Sequence, residues 1–363
     1  MRRGHFELFR PVCPICARSG RAAGALVLAA VAEERGDEVV AGILHCPDPA
    51  CWREYPIIDG IPLIVPELQR LLNEQGAGLL LRDDLDPLIE SLVGDALGPG
   101  SWLDTVRQIQ STYGWDAYAD LDPEEPPPDG PVPGAARRCL DRLETLAPGG
   151  EARRILDLGC AAGRTTLTLA ERHPDAAVLG IDLDLAVLRL ARNAAAGQVS
   201  YPRRRIGVVF DRRRFPVAFA GAGRVDFWAC DALALPFAAG TIDRVVALNL
   251  LDCVPEPQRL LAGLGQVLRP RGRLLLATPY DWSTRATPVG SWIGGHSQRA
   301  DHRGAAEGFL RALLTEGAHP QSVPGLEILG EDAGWPWQTR LHDRSSVQYR
   351  THLMAVGKRS SIT

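Results

Sequence analysis

Two groups of residues in this sequence have the types and spacing to do chemistry. The first is Asp157-Leu-Gly159-Cys160-Ala161-Ala-Gly163, an acid and two glycines set around a turn. Glycine leaves the backbone bare, so a ligand can lie against it with no Cβ in the way. A dinucleotide fingerprint, Gly-x-Gly-x-x-Gly, would need glycines at 161 and 164, where Ala161 and Arg164 stand. Further on, Asp182 closes Ala177-Val-Leu-Gly-Ile-Asp182. A carboxylate at a strand tip can accept hydrogen bonds from both ribose hydroxyls of a nucleoside. The second group is Cys13-Pro-Ile-Cys16 with Cys46-Pro-Asp-Pro-Ala-Cys51. Two close thiolate pairs on tight turns suit one tetrahedral zinc ion. The second pair is spaced by four residues instead of two, which makes His45 an alternative ligand.

The elements that must position these groups follow from periodicity. Ile155, Leu156 and Leu158 form a buried strand, and Thr165 to Glu171 then runs with helical spacing. Val225 to Cys230 is a third strand leading to Asp231. Thr241 to Leu248 is a fourth, with Asn249 and Asp252 at its exit. Leu260 to Leu268 reads as a helix, Arg269-Pro-Arg-Gly-Arg273 as a turn, and Leu274 to Thr278 as strand five. Gly325 to Ile328, Trp335 to Leu341 and Thr351 to Val356 supply late antiparallel strands. Upstream, Ala135 to Leu146 is an amphipathic helix.

The chain has 363 residues and a net charge of −4, which does not suit a protein built to sit on phosphate backbones. Of its 40 basic residues all but Lys358 are arginine. No apolar run reaches the roughly 18 residues of a membrane span, and there is no signal-peptide layout, so a cytoplasmic protein is expected. Cys139, Cys160, Cys230 and Cys253 lie in apolar segments and read as reduced thiols.

Taken together, the four signatures in order resemble the class I S-adenosylmethionine-dependent methyltransferases, over about residues 135 to 358. The resemblance implies an α/β fold: a Rossmann-like methyltransferase sheet with helices on both faces. It implies S-adenosyl-L-methionine held by Asp157, Gly159, Cys160, Ala161, Gly163, Asp182, Leu183 and Asn249, with Asp231 and Ala232 bordering the adenine. Arg271 stands where such proteins usually have a second turn glycine. Residues 278 to 296, with Pro279-Tyr280-Asp281-Trp282, Thr287-Pro288 and Trp292-Ile-Gly-Gly-His296, look like the ovothiol-type 4-mercaptohistidine N-methyltransferases. That resemblance makes Tyr280, Asp281 and His296 the catalytic candidates and Trp282 and Trp292 substrate-binding ones, with Tyr349 and His352 behind them. Methyl transfer needs alignment and water exclusion. A neutral imidazole attacks with its own lone pair, whereas a protonated amine, thiol or hydroxyl needs a base. The cysteine pairs with Tyr55-Pro-Ile-Ile-Asp-Gly-Ile-Pro62 look like the small zinc-ribbon family typified by the activator subunit of tRNA methyltransferases. In such modules zinc is structural.

The expected organisation is therefore a zinc ribbon over 1–66, a helical connector or lid over 67–134 and the methyltransferase domain over 135–363. The connector shows helical spacing at Leu68, Leu71 and Leu72 and again at Leu85, Leu88, Ile89 and Leu92, then a proline-rich extended loop from Asp122 to Gly134. Tyr113, Trp115 and Tyr118 are substrate-side candidates as a lid, or else pack helices onto the sheet. Arg203-Arg-Arg205 and Arg212-Arg-Arg214 read as a solvated loop. The partner expected is a small-molecule methyl acceptor, with no membrane. An RNA substrate gripped by the arginines and the zinc ribbon is the runner-up, and a non-catalytic cofactor-binding scaffold is the third reading.

Overall fold

The structure is a computed structural model that describes residues 1–68, 70, 71, 74, 98–127 and 130–360. The helical spacing at Leu72 and from Leu85 to Leu92 lies outside the described residues.

The core strands form where the apolar runs are. β5 (Arg154–Leu158), β6 (Ala177–Asp182), β9 (Val225–Cys230) and β10 (Ile242–Leu248) are nearly all buried, as parallel strands covered on both faces must be. Their helices are α5 (Arg164–Arg172), α6 (Leu185–Ala195) and α7 (Pro257–Val267). β11 (Leu268–Thr278) continues the parallel set, followed by antiparallel β13 (Ser345–Lys358) and β12 (Leu326–His342). The two late strands form one long hairpin whose tip runs past the end of β11. Side chains alternate between two buried layers. Ile155 and Val178 face α3 (Trp102–Tyr118), α4 (Ala135–Leu146), α5 and α6; Leu156 and Leu179 face α1 (Arg3–Phe9), α7 and α8 (Ala306–Leu313).

The N-terminal residues belong to the same sheet. β1 (Val27–Arg35), β2 (Glu38–His45), β3 (Glu54–Ile58) and β4 (Ile61–Ile64) are antiparallel, with α2 (Pro14–Arg18) alongside. β4 then pairs in parallel with β9, Leu63 opposite Ala229 and Ile64 opposite Cys230. The sheet so formed has eleven strands in the order β1-β2-β3-β4-β9-β6-β5-β10-β11-β13-β12.

Two local expectations change. Residues 269–273 are not a free turn but part of β11. The pairing jumps from Ile242 opposite Leu268 to Arg244 opposite Arg273, and Arg271 bulges out at φ +63°, the conformation a glycine would take without cost. The arginine triplets do not sit on a solvated loop. They lie on a separate hairpin of β7 (Gln198–Ile206) and β8 (Val209–Pro216), turned at Gly207. Arg203 pairs with Glu125 at 2.8 Å and Asp343 at 2.7 Å, and Arg213 with Asp122 at 2.6 Å and Glu124 at 3.0 Å.

Candidate functional site

The exits of β5 and β6 are tied together before any ligand arrives. Gly159 and Cys160 both donate their N–H to the Ile181 carbonyl, at 2.8 and 3.0 Å. Ala161, at φ +46°, donates its N–H to Asp182 Oδ2 at 2.9 Å. Asp182 Oδ1 accepts from Asp184 N at 3.0 Å, and Asp184 caps α6 through Ala186 N at 2.8 Å. Burial pushes the Asp182 carboxyl up to about 6, with Asp184 adding to the effect. Leu183 stays well exposed beside it.

Asp157 has a different job. It is buried, and its Oδ2 accepts from Thr165 Oγ1 at 2.5 Å and Thr166 Oγ1 at 2.6 Å, fixing the start of α5. Burial raises this carboxyl to about 6 as well, against those two hydroxyls. Gly163 is required twice over: its φ is +82°, and a Cβ there would stand 2.6 Å from Ala191 Cβ and 2.8 Å from the Phe227 ring. Asp231 Oδ1 accepts from Leu233 N at 2.8 Å, shaping the turn that contains Ala232. Asn249, at φ +52°, has its N–H bonded to Ala277 O, while its Oδ1 is buried with no partner. An orphaned acceptor at the mouth between β5 and β10 suits a ligand amine or hydroxyl.

Acids and phenols gather beyond the ends of β10 and β11. Asp252, buried after β10, accepts from Asp281 N at 2.7 Å, and Tyr349 donates its hydroxyl to Asp281 Oδ2 at 3.0 Å. Tyr113 is exposed, yet its phenol is raised by burial of its surroundings and by Cys253, Asp182, Asp184 and Tyr349. The surrounding chain, then Asp252, Asp281 and Asp182, raises the thiol of Cys253, although the residue itself is exposed. These groups are therefore close enough to feel one another's charge. Trp282 stacks on Trp292 at 6.1 Å and leans on Tyr280 at 6.5 Å. Trp292 Nε1 donates to Thr287 O at 2.9 Å.

The other candidates separate. Tyr118 is fully buried and donates its hydroxyl to Ala162 O at 2.6 Å; Trp115 donates Nε1 to Glu125 Oε1 at 2.7 Å under the Arg340 guanidinium. Both are framework, with Tyr118 bracing the glycine turn from behind, whereas Tyr113 is exposed. His296 is exposed after Gly294-Gly295 and, among the described residues, has no hydrogen bond to the other candidates. Tyr280 instead meets a residue sequence reasoning ranked low: its hydroxyl lies 2.6 Å from His352 Nδ1. The signal was register, since His352 stands opposite Thr278 across β11 and β13.

The cysteine pairs converge. Cys13 Sγ is 3.7 Å from Cys51 Sγ and Cys16 Sγ is 3.7 Å from Cys46 Sγ, with all four sulfurs within 4.8 Å of one another. A tetrahedron with zinc–sulfur bonds of about 2.3 Å has edges of about 3.8 Å, whereas disulfide sulfurs sit at about 2.05 Å. The donor set thus fits a zinc ion. Tyr55 O–H, 3.2 Å from Cys13 Sγ, is placed to donate to a thiolate. His45 is not in the cluster and stacks on Trp52 instead.

A parallel sheet with a glycine turn after its first core strand and an acid after its second defines a Rossmann-like methyltransferase fold. Residues 156–276 match the family model described as "Methyltransferase domain". The chain is 33% identical over 123 residues to an O-methyltransferase, cnsE, of Penicillium expansum, covering 34% of this chain and 37% of that protein. It is 28% identical over 192 residues to trans-aconitate 2-methyltransferase of Deinococcus radiodurans, covering 51% and 61%. A solved SAM-dependent methyltransferase of Methanosarcina mazei aligns at 22% identity and TM-score 0.38, over 58% of this chain and 94% of that one. The chain spans less than two thirds of either curated relative. Among the described residues no helix is long and apolar enough to cross a membrane.

Proposed function

We propose that this protein is an S-adenosyl-L-methionine-dependent methyltransferase acting on a nitrogen of a small amino-acid or imidazole-type metabolite in the cytoplasm. The nucleoside would be held by Asp182 at the ribose, Leu183, Asp231 and Ala232 at the adenine, and the 159–163 backbone with Asn249 at the amino-acid end. Bound there, the cofactor supplies an electrophilic methyl group. The protein's own part is to orient the acceptor and exclude water with Trp282 and Trp292.

The observation that carries the choice of acceptor is the acidic cluster beyond β10 and β11: Asp281 is bonded to Asp252 and Tyr349, with Asp182 and Asp184 near Tyr113. Such a cluster favours a cationic or hydrogen-bond-donating nitrogen compound and repels an anionic acceptor such as a polycarboxylate. The ovothiol-like segment agrees with it. The RNA reading loses support because Arg203 and Arg213 are already paired with acids of the same chain. The three-part division at residues 66 and 134 belongs to this proposal, with zinc as the structural staple of the first part.

The test is a screen of histidine and thiol-imidazole derivatives with S-adenosylmethionine, following S-adenosylhomocysteine. Turnover on these supports the reading. Silence on them, with turnover on RNA or on hydroxyl acceptors, overturns it.

A further inference from the structure

Tyr280 sits in the left-handed region at φ +56°, a conformation that costs a bulky residue energy and that its surroundings must hold. Its ring is turned by this into a line of polar groups. Tyr280 Oη is 2.6 Å from His352 Nδ1, and Glu331 Oε1 lies 3.1 Å from His352 Nε2, off the line of an ideal hydrogen bond. Arg311 Nε grips both Glu331 oxygens at 2.9 Å. His352 is almost fully buried, while Arg311 and Glu307 line an open cleft of about 510 Å³ with His302, Arg303 and Ala333. The line thus runs from the loop that follows β11, along the face of the sheet covered by α8, to solvent.

We propose that Tyr280, His352 and Glu331 form a proton relay for the methyl acceptor, with Tyr280 as the catalytic residue and His352 and Glu331 as positioning residues behind it. The inference rests on the reading of the protein as a nitrogen methyltransferase. The imidazole nitrogen that attacks carries no proton of its own; methylation leaves an imidazolium whose other nitrogen sheds its N–H proton, as an amine does from the nitrogen that was methylated. That proton passes to the Tyr280 oxygen as the phenol's own proton moves to His352 Nδ1. One proton leaves the acceptor, one N–H bond forms on His352, and the imidazolium so formed faces Glu331. It then discharges to the Arg311 cleft. His352 must begin neutral, and burial holds its pKa below the ordinary value, with Arg311 adding to the effect and Glu331 and Glu307 opposing it. Asp252 and Glu307 also face Tyr280, whose phenol burial keeps protonated at rest.

The test compares wild type with Tyr280→Phe, His352→Gln and Glu331→Gln. Glutamine at 352 can still accept the tyrosine's hydrogen bond but takes no proton. The relay requires kcat to fall about 100-fold in Tyr280→Phe and His352→Gln, with KM little changed, and the acid limb of the kcat profile to vanish in His352→Gln. Glu331→Gln should lower kcat about tenfold and move that limb to lower pH. Independently of turnover, ¹⁵N NMR of the imidazole should show neutral His352 with its proton on Nε2, and a changed Nδ1 shift in Tyr280→Phe. If wild type turns over while His352→Gln keeps kcat within threefold and the same pH profile, the relay is refuted. His352 protonated on Nδ1 refutes it as well, even where a variant fails to fold. If wild type turns over no nitrogen acceptor while S-adenosylhomocysteine still binds, the functional reading fails instead.

Discussion

Replacing Asp182 by alanine is the sharpest probe of the nucleoside end. The carboxylate holds Ala161 N and Asp184 N, and under the proposed function its remaining lone pairs take the ribose hydroxyls. Hydrogen bonds to a charged group contribute about 1.5–3 kcal/mol each. Losing two such bonds, less what water recovers, weakens binding by about 2–4 kcal/mol, or roughly 30- to 1,000-fold in Kd. Burial sets the Asp182 carboxyl near 6, and ribose hydroxyls donate to its ionised form. Affinity should therefore climb with pH up to about 6 and level off above it, by at most about tenfold per unit. The sign for stability is opposite. A carboxyl whose folded value lies above its unfolded value of 3.8 takes up protons on folding. Its contribution is present below the unfolded value and lost as pH rises through about 6, and Asp157, also at about 6, acts in the same direction. Calorimetry with S-adenosylhomocysteine from pH 5 to 8, beside urea melts of the ligand-free protein, measures both. Alanine at 182 should bind weakly, with a flat pH profile. Binding within threefold of wild type, or an unchanged slope, would show that the ribose rests elsewhere.

Three further outcomes follow from the same geometry. Gly163→Ala forces a side chain into the left-handed region and against Ala191 and Phe227, and should cost about 2–4 kcal/mol of stability; an unchanged thermal midpoint would contradict the packing. The protein as purified should carry one zinc per chain, measured by atomic absorption, and Cys46→Ser should lose the ion, lower the melting temperature and weaken cofactor binding; a metal-free, fully stable protein would remove the site. Arg203→Ala strands Glu125 and should destabilise by about 2–3 kcal/mol, less than a fully buried pair because Asp343 is partly open to water. The RNA reading instead expects Arg203→Ala to reduce RNA affinity and its salt slope with little change in melting temperature.

What was legible in the sequence was the part governed by short-range pattern. Buried parallel strands are continuous apolar runs, so β5, β6, β9 and β10 announce themselves, and Asp182 and Asn249 fall at the carboxyl ends, where sheets of this kind take their ligands. The cysteine spacing likewise brought four sulfurs together. What was hidden depends on partners far along the chain. Arg203-Arg-Arg205 looks like a solvated charge run until Glu125 and Asp343 are beside it, and Asp343 lies 140 positions away. His352 has no motif around it, and only the register of β13 on β11 sets it behind Tyr280. Nor does any propensity foretell the left-handed backbone of Tyr280, which tertiary contacts impose.

The pairing of β4 with β9 gives the metal module a consequence beyond its own stability. Only two rungs join the strands, but Ile64 stands opposite Cys230, the residue before Asp231. The strand that leads to Asp231, the proposed neighbour of the adenine, is thus flanked by a hairpin whose Tyr55 hydroxyl lies 3.2 Å from Cys13 Sγ of the cysteine cluster. A strand left at the edge would expose its N–H and C=O groups to water and fray. Loss of zinc should therefore reach the strand before Asp231 through two backbone rungs, while leaving Asp182 and the glycine turn, at the ends of strands two and three places in from β4, held by their own hydrogen bonds. Affinity for adenosine fragments should then fall with metal removal in the same proportion as affinity for the whole cofactor, because the defect lies at the base and not at the ribose or the amino-acid end.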